Sequence, residues 1–139
     1  MPRTRTPWAL ALAVTALAGC GGGERTFSAE ELVEEANASG AELVLGEPLS
    51  STREGAEVRE LSFEEHAEPD AGEAAHAHGG GTLAIMGDAE AGLAEYERCE
   101  SAATLLCFRA SNAVLLFEGE LEPAQRAGLE RALRALASD

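Results

Sequence analysis

The chain contains no lysine, and its 10 basic residues, all arginines, stand against 25 acidic residues. The formal net charge at pH 7 is −15. A surface with this charge repels phosphate backbones and anionic lipid headgroups, so nucleic acid is excluded as a partner. Cations and basic proteins or peptides are the partners that such a surface attracts. The same charge also serves simply to keep a surface protein soluble, and composition does not separate these two interpretations.

Motifs of known catalytic centres are missing as well. The chain has no GxSxG, HExxH, CxxC, P-loop or GxGxxG pattern. Its three histidines all lie between residues 66 and 78, in a stretch without apolar periodicity. Such a segment is not expected to position a histidine as the base that activates a serine or cysteine nucleophile. We therefore predict a protein that is not an enzyme.

No apolar run is long enough for a permanent membrane span. Residues 1–19 begin with Arg3 and Arg5 and continue as an uncharged apolar stretch from Trp8 to Gly19. A helix of this length rises about 18 Å, whereas the hydrocarbon core of a bilayer is about 30 Å thick. A basic start followed by a short apolar run is the form of a secretory signal peptide. Residues 1–19 are thus predicted to be an export signal.

The signal ends in the sequence Leu17-Ala18-Gly19-Cys20. This tetrapeptide resembles the lipobox of bacterial lipoproteins, and the resemblance covers residues 1–20 only. It implies that Cys20 receives a diacylglyceryl group, becomes the mature N-terminus and carries fatty acyl chains such as palmitate. Two or more acyl chains anchor a protein stably. The expected location is the extracytoplasmic face of the cell membrane, with residues 20–26 as a flexible glycine-rich tether.

Residues 27–139 are predicted to form a single domain of alternating helices and strands. Ser28 and Glu31 form a capping-box pattern, and Pro123 stands at a typical first helical position. At Ser111-Asn112 we predict a tight hairpin in which Asn112 adopts a positive φ. The predicted helices span 27–40, 88–98 and 123–137, and the predicted strands span 42–45, 57–63, 82–86, 104–110 and 113–118.

This order predicts an α+β fold, a mostly antiparallel sheet of about five strands with helices on one face. From Thr82 onward the elements follow the order β-α-β-β-α, which is the ferredoxin-like order without its last strand. An earlier strand in the missing edge position would make a permuted ferredoxin-like sandwich. On the helix from Asp88 we expect Ala89, Leu93 and Tyr96 to share one face.

Cys99 and Cys107 remain once Cys20 is assigned to the lipid. An even pair in an exported chain favours a disulfide, which here would join the end of a helix to the next strand. Two buried thiols, or a redox or metal pair, are the alternatives. The spacing between the two does not match a CxxC motif.

The segment 64–81 carries His66, His76 and His78 among several carboxylates. Imidazole together with carboxylate suits Zn²⁺ or Cu²⁺, so this loop is a candidate metal site. The alternative is a solvated, disordered loop whose histidines titrate near neutral pH. No other cofactor is expected.

Taken together, these features predict a lipid-anchored lipoprotein that serves as a non-enzymatic interaction or structural module of the cell envelope. Its expected partners are the membrane, through the lipid, and a basic envelope protein. The alternative function is extracytoplasmic metal binding or buffering, with a divalent ion as the ligand.

Overall fold

A five-stranded antiparallel sheet forms the centre of the computed structural model, which describes residues 25–51, 54–64 and 80–138. The strand order is β1-β2-β3-β5-β4, and each neighbouring pair is antiparallel. The elements are α1 (Ala29–Ala38), β1 (Leu43–Leu49), β2 (Glu57–Phe63), β3 (Gly81–Ile85), α2 (Ala89–Glu100), β4 (Leu105–Ala110), β5 (Ala113–Glu118) and α3 (Pro123–Leu136). The predicted α+β class and antiparallel sheet are confirmed.

The main core lies between one face of the sheet and the helices α1 and α3. Side chains on a strand alternate between the two faces, and the residues buried on this first face come from all five strands. The ring of Phe63 stacks on that of Phe117 with centroids 5.5 Å apart, and Phe108 meets Phe117 edge to face. Helix α3 contributes Leu129, Ala132 and Leu133. This face therefore carries most of the buried apolar area.

Helix α2 lies on the opposite face, so the expectation that all helices share one face holds for α1 and α3 only. Its Cys99 is bonded to Cys107, which alternates with the core residue Phe108 along β4 and therefore points to the second face. The predicted disulfide is thus present. Strand β2 pairs with β3, as the permuted ferredoxin-like arrangement requires. The placement of α2 departs from that sandwich, since the disulfide joins the end of α2 to the second face.

Strand β1 runs further than the sequence predicted. The predicted strand ends at residue 45, before Gly46 and Pro48, yet β1 continues to Leu49 through a shift of register between Leu45 and Pro48. Proline is tolerated because β1 is an edge strand, and a bulge accommodates the extra residue. The Arg59 side chain donates from Nε and Nη2 to the carbonyl of Gly46, at 2.9 and 2.8 Å. That arginine satisfies the carbonyl which the bulge removes from the ladder.

Helix α1 begins with the predicted capping box. The Ser28 hydroxyl accepts from the Glu31 N–H at 3.2 Å, and Glu31 Oε2 accepts from the Ser28 N–H at 3.0 Å. The hydrogen bond from the Ser28 backbone lowers the pKa of Glu31 below its ordinary value. After the helix, Gly40 adopts φ 95°, where a glycine is favoured. The local signals at both ends of α1 were sufficient to place it.

The lowered pKa of Glu31 predicts a pH dependence of stability. A carboxyl whose folded-state pKa is depressed stabilises the fold above its unfolded-state pKa, and loses that contribution as pH falls through the folded-state value. Gln at the same position can still close the capping box but does not titrate. Between pH 7 and pH 3, wild type should therefore lose more stability than Glu31→Gln in urea unfolding. Parallel losses in the two proteins would contradict this prediction.

The predicted hairpin between β4 and β5 is present, but Asn112 does not have the positive φ predicted for it. Ser111 has φ 52°, whereas Asn112 is not among the residues with positive φ in the described chain. Asn112 is instead 3 % exposed and hydrogen-bonds the backbone of Phe27 and Met86. The turn therefore joins the start of α1 to the end of β3.

A candidate acidic cleft on the second face of the sheet

The second face of the sheet is only half covered. Helix α2 packs over β4 and β5, and in the described part of the chain no helix packs over β1 and β2 on this side. The strand register places Leu49, Val58, Ala84 and Val114 in one row across this face. Val114 is fully buried at the α2 end of the row, whereas Leu49 is 40 % exposed at the other end. The row therefore passes from a covered half to an open half.

Two adjoining hollows occupy the open half, and we call them together the acidic cleft. The larger has a volume of about 580 Å³ and the smaller about 200 Å³. Both are lined by Thr82 and Leu116, so they adjoin each other at β3 and β5. The larger is also lined by Gly46, Leu49, Glu60, Ser62, Leu105 and Glu118, and the smaller by Ser50, Ser51, Val58, Ala84, Met86 and Glu95.

The floor of the cleft is apolar and its walls are acidic. Val58, Ala84 and Leu116 supply aliphatic surface, while the exposed Glu60 and Glu118 flank the larger hollow. None of the residues found to line either hollow in the described chain is basic. A low-dielectric floor with carboxylates of one sign focuses a negative potential into the cleft. The cleft is therefore suited to a cation that also presents apolar surface.

Gly46 keeps Glu60 at the wall of the larger hollow. A Cβ at position 46 would lie 2.8 Å from the Glu60 Cβ and 3.3 Å from its Oε2. Only a residue without a side chain allows β1 to pass so close. The bulge of β1 and the direction of Glu60 are thus coupled.

Glu95 is the unusual residue of the smaller hollow. It is 5 % exposed, although it lies on α2 next to a cleft that contains hydroxyl groups of Ser50, Ser51 and Thr82. Its Oε2 accepts from Arg98 Nη1 at 3.2 Å, but the Arg98 side chain is 60 % exposed. Burial of a carboxylate costs several kcal/mol unless its charge is compensated, and Arg98 is one of the groups that compensate Glu95.

Gly92 sets the close approach of α2 to the sheet. A Cβ at this position would come within 2.4 Å of the Ser111 carbonyl oxygen and 2.8 Å of the Asn112 Cα. The buried residues of α2 are Gly92, Glu95 and Cys99, which follow one another at intervals of about one turn and so share one face. The expected face of Ala89, Leu93 and Tyr96 is therefore wrong for Leu93, which is 42 % exposed. The sequence signal that indicates the true face is Cys99, because a bond to Cys107 turns Cys99 and Glu95 toward the sheet.

A separate cavity of about 330 Å³ lies at the opposite edge of the domain and contains two arginines. It is lined by Arg25, Phe27, Arg109, Ser111 and the end of α3. Arg25 pairs with Glu35 and lies over the Phe27 ring, 4.8 Å from its centroid. Arg109 Nη1 donates to the Ser111 carbonyl at 3.1 Å. Both arginines thus hold local structure together in this cavity.

The remaining residues singled out in the sequence fall outside the described ranges. Cys20 belongs to residues 1–24, and His66, His76 and His78 belong to residues 65–79. Within residues 25–51, 54–64 and 80–138, no group of three or more His, Cys, Asp or Glu side chains could hold a metal ion. In the same ranges no helix is both long and apolar enough to cross a bilayer. The lipid site and the histidine metal site therefore stay predictions.

Comparisons of this chain with protein-family models, with curated proteins and with solved structures found no match.

Proposed function

We propose that this chain is a lipid-anchored lipoprotein of the extracytoplasmic membrane face, whose domain is a non-enzymatic interaction module. The domain binds a cationic protein partner in the acidic cleft. The observation that carries this proposal is a half-open sheet face with an aliphatic floor, flanked by Glu60, Glu95 and Glu118. An exposed apolar surface bordered by charge is typical of an interaction site.

The chemistry of the cleft favours binding rather than catalysis. Its walls supply carboxylates and hydroxyls, and the described lining residues include no histidine and no cysteine. Carboxylates beside aliphatic surface can orient a cationic side chain and cover its apolar stem. These groups form a recognition surface and need no reacting atom.

The net charge of the domain supports a basic partner. Removal of Arg3 and Arg5 with the signal would leave 8 basic against 25 acidic residues, a charge of 8 − 25 = −17. A charge of this size repels anionic partners and attracts cationic ones. At physiological salt this electrostatic interaction is screened over a distance of about 8 Å. A lipid anchor would keep this acidic domain at the envelope, where a basic envelope protein could reach it.

The lipid part of the proposal is tested on the full-length chain expressed in a bacterium. Wild type should fractionate with membranes and enter the detergent phase, and mass spectrometry should find acyl chains on Cys20. The Cys20→Ser variant should lack the acyl mass and leave the membrane fraction. If wild type fractionates with membranes but carries no acyl chains, the lipoprotein assignment is wrong.

The cleft is tested by a photo-crosslinking amino acid placed at Thr82, in the floor, in the full-length chain in cells. The control carries the same group at Ala135, an exposed residue of α3. We expect adducts from Thr82 with a protein of net positive charge, and fewer adducts in a Glu60→Gln/Glu118→Gln background. Equal adducts from Ala135, no adduct from Thr82, or an acidic partner would each contradict the proposal.

A further inference from the structure

We propose that the disulfide between Cys99 and Cys107 is a redox-sensitive latch, which holds α2 on the second face of the sheet when oxidised. When it is reduced, α2 leaves the sheet while the rest of the domain stays folded. Release of α2 is a property of the domain itself. Its effect on binding, the loss of one wall of the acidic cleft, rests on the proposed function.

Helix α2 buries little apolar surface of its own. Its buried residues are Gly92, Glu95 and Cys99, and none of them is a large apolar side chain. Leu93, the one aliphatic residue of α2 larger than alanine, is 42 % exposed. By contrast, α1 and α3 both insert buried leucines into the main core. Among the three helices of the described chain, α2 therefore gains least from apolar burial when it docks on the sheet.

Helix α2 also has little stability apart from the sheet. It has 12 residues, which is at the lower limit of length for an isolated helix in water. Gly92 lies in its interior, where glycine lowers helix propensity relative to alanine. The same glycine brings the backbone of α2 close to the hairpin turn but adds no side-chain area to that contact. We therefore expect residues 88–101 to lose their helical structure once they leave the sheet.

The disulfide is the covalent link across this contact. It joins the last turn of α2 to β4, with the Cα atoms 6.1 Å apart and 8 residues between them in sequence. A crosslink stabilises the docked state mainly because it restricts the released one. For a closed loop of this length, breaking the bond should raise the ratio of released to docked α2 by about 50-fold.

The main core does not include α2. Its buried side chains come from the first face of the sheet and from α1 and α3, and no residue of α2 is among them in the described chain. On the second face, Val114 is fully buried at the end of the row that α2 covers. Release of α2 should therefore expose Val114 and remove Glu95 from the wall of the smaller hollow, while the main core keeps its contacts.

Opening of the latch requires a dithiol reductant, which supplies two electrons and two protons. A thiolate of the reductant attacks one sulfur of the disulfide and forms a mixed disulfide, which the second thiol of the reductant then resolves. Cys107 is half-buried whereas Cys99 is 3 % exposed, so attack is expected at Cys107 Sγ, with Cys99 leaving as the thiolate. The domain ends with two cysteine thiols and the reductant with one disulfide.

Release of α2 is tested by hydrogen–deuterium exchange of the full-length chain, expressed in a bacterium and purified in detergent, with and without dithiothreitol. After reduction, peptides from residues 88–101 should exchange at the rate of an unfolded chain, about 50-fold faster than before. Peptides from β3, β5 and α3 should remain protected. The Cys99→Ala/Cys107→Ala variant should show fast exchange of α2 in both conditions.

Two outcomes of the exchange experiment would overturn the latch. One is an α2 that stays as protected as the sheet after reduction. The other is a loss of protection in all elements together, because the bond would then stabilise the domain as a whole.

The effect on the acidic cleft is tested by the adduct yield from the photo-crosslinking group at Thr82, in membranes treated with dithiothreitol before illumination. We expect a several-fold lower yield after reduction, and a low yield from Cys99→Ala/Cys107→Ala with or without the reductant. Equal yields from oxidised and reduced wild type would show that the latch does not control the cleft. Absence of adducts in both states would contradict the proposed function instead, whereas the exchange experiment alone decides the release of α2.

Discussion

Replacing Asn112 by alanine should lower the free energy of unfolding by about 3–5 kcal/mol, which is a large share of the total for a domain of this size. The Asn112 Oδ1 accepts from the Phe27 N–H at 2.7 Å. Its Nδ2 donates to the carbonyls of Phe27 and Met86 at 3.0 and 2.9 Å. Alanine would leave three backbone groups without these partners, each costing about 1–3 kcal/mol and not simply additive.

The position of Asn112 explains why the effect is large. One side chain joins the hairpin turn, the residue before the α1 cap and the end of β3, and two of its hydrogen bonds link residues 85 apart in sequence. The Met86 N–H donates to the Asn112 carbonyl at 2.8 Å in addition. The turn thus connects the helix layer, at the start of α1, with the sheet, at the end of β3. Loss of the side chain should loosen α1 and the start of α2 together.

Asn37 offers a matched control for this prediction. Its Oδ1 accepts from the Leu43 N–H at 2.6 Å and its Nδ2 donates to the Leu43 carbonyl at 2.8 Å. Because Asn37 is exposed, water can replace these bonds, and Asn37→Ala should cost about 1 kcal/mol. Urea unfolding of both variants measures the difference. Equal losses would show that Asn112 is an ordinary turn residue.

Local signals explain how much of the fold could be predicted. Local signals such as Ser28 with Glu31, Pro123 at the start of α3 and the alternation of Leu61, Ser62 and Phe63 in β2 act within a few residues. The order of elements and the antiparallel class follow from such signals. Asn112 was placed in the right turn but given the wrong role, since its hydrogen-bond partners are distant in sequence. The choice between a positive φ at Ser111 or Asn112 is decided by those distant groups.

The acidic cleft could not be derived in the same way. It exists because α2 covers only part of the second face, and the end of α2 is bonded to β4 on that face through Cys99 and Cys107. The stripe of Ala89, Leu93 and Tyr96 indicated a different face by hydrophobicity alone. A glutamate on a helix is ordinarily solvated, so the burial of Glu95 against the sheet is visible only in three dimensions.

Breaking the disulfide between Cys99 and Cys107 should lower the free energy of unfolding by about 2–3 kcal/mol, in the chain-entropy model for a short closed loop. The two residues are 8 apart in sequence, with Cα atoms 6.1 Å apart. The bond holds the last turn of α2 to β4. In the turn between them, the Ala102 N–H donates a hydrogen bond to the Cys99 carbonyl at 3.0 Å. The expected result is a lower urea midpoint for wild type in dithiothreitol than without it.

The variant that replaces both cysteines by alanine separates the disulfide from other effects of the reductant. It should match reduced wild type, and dithiothreitol should not change it further, because only the crosslink has been removed. A wild-type midpoint that is insensitive to the reductant would show that the bond contributes nothing to stability. Since α2 carries Glu95 and forms a wall of the acidic cleft, the same variant should also give fewer Thr82 adducts under conditions where it is folded. Lower stability together with fewer Thr82 adducts would show that this one covalent link supports both the fold and the wall that α2 makes with the cleft.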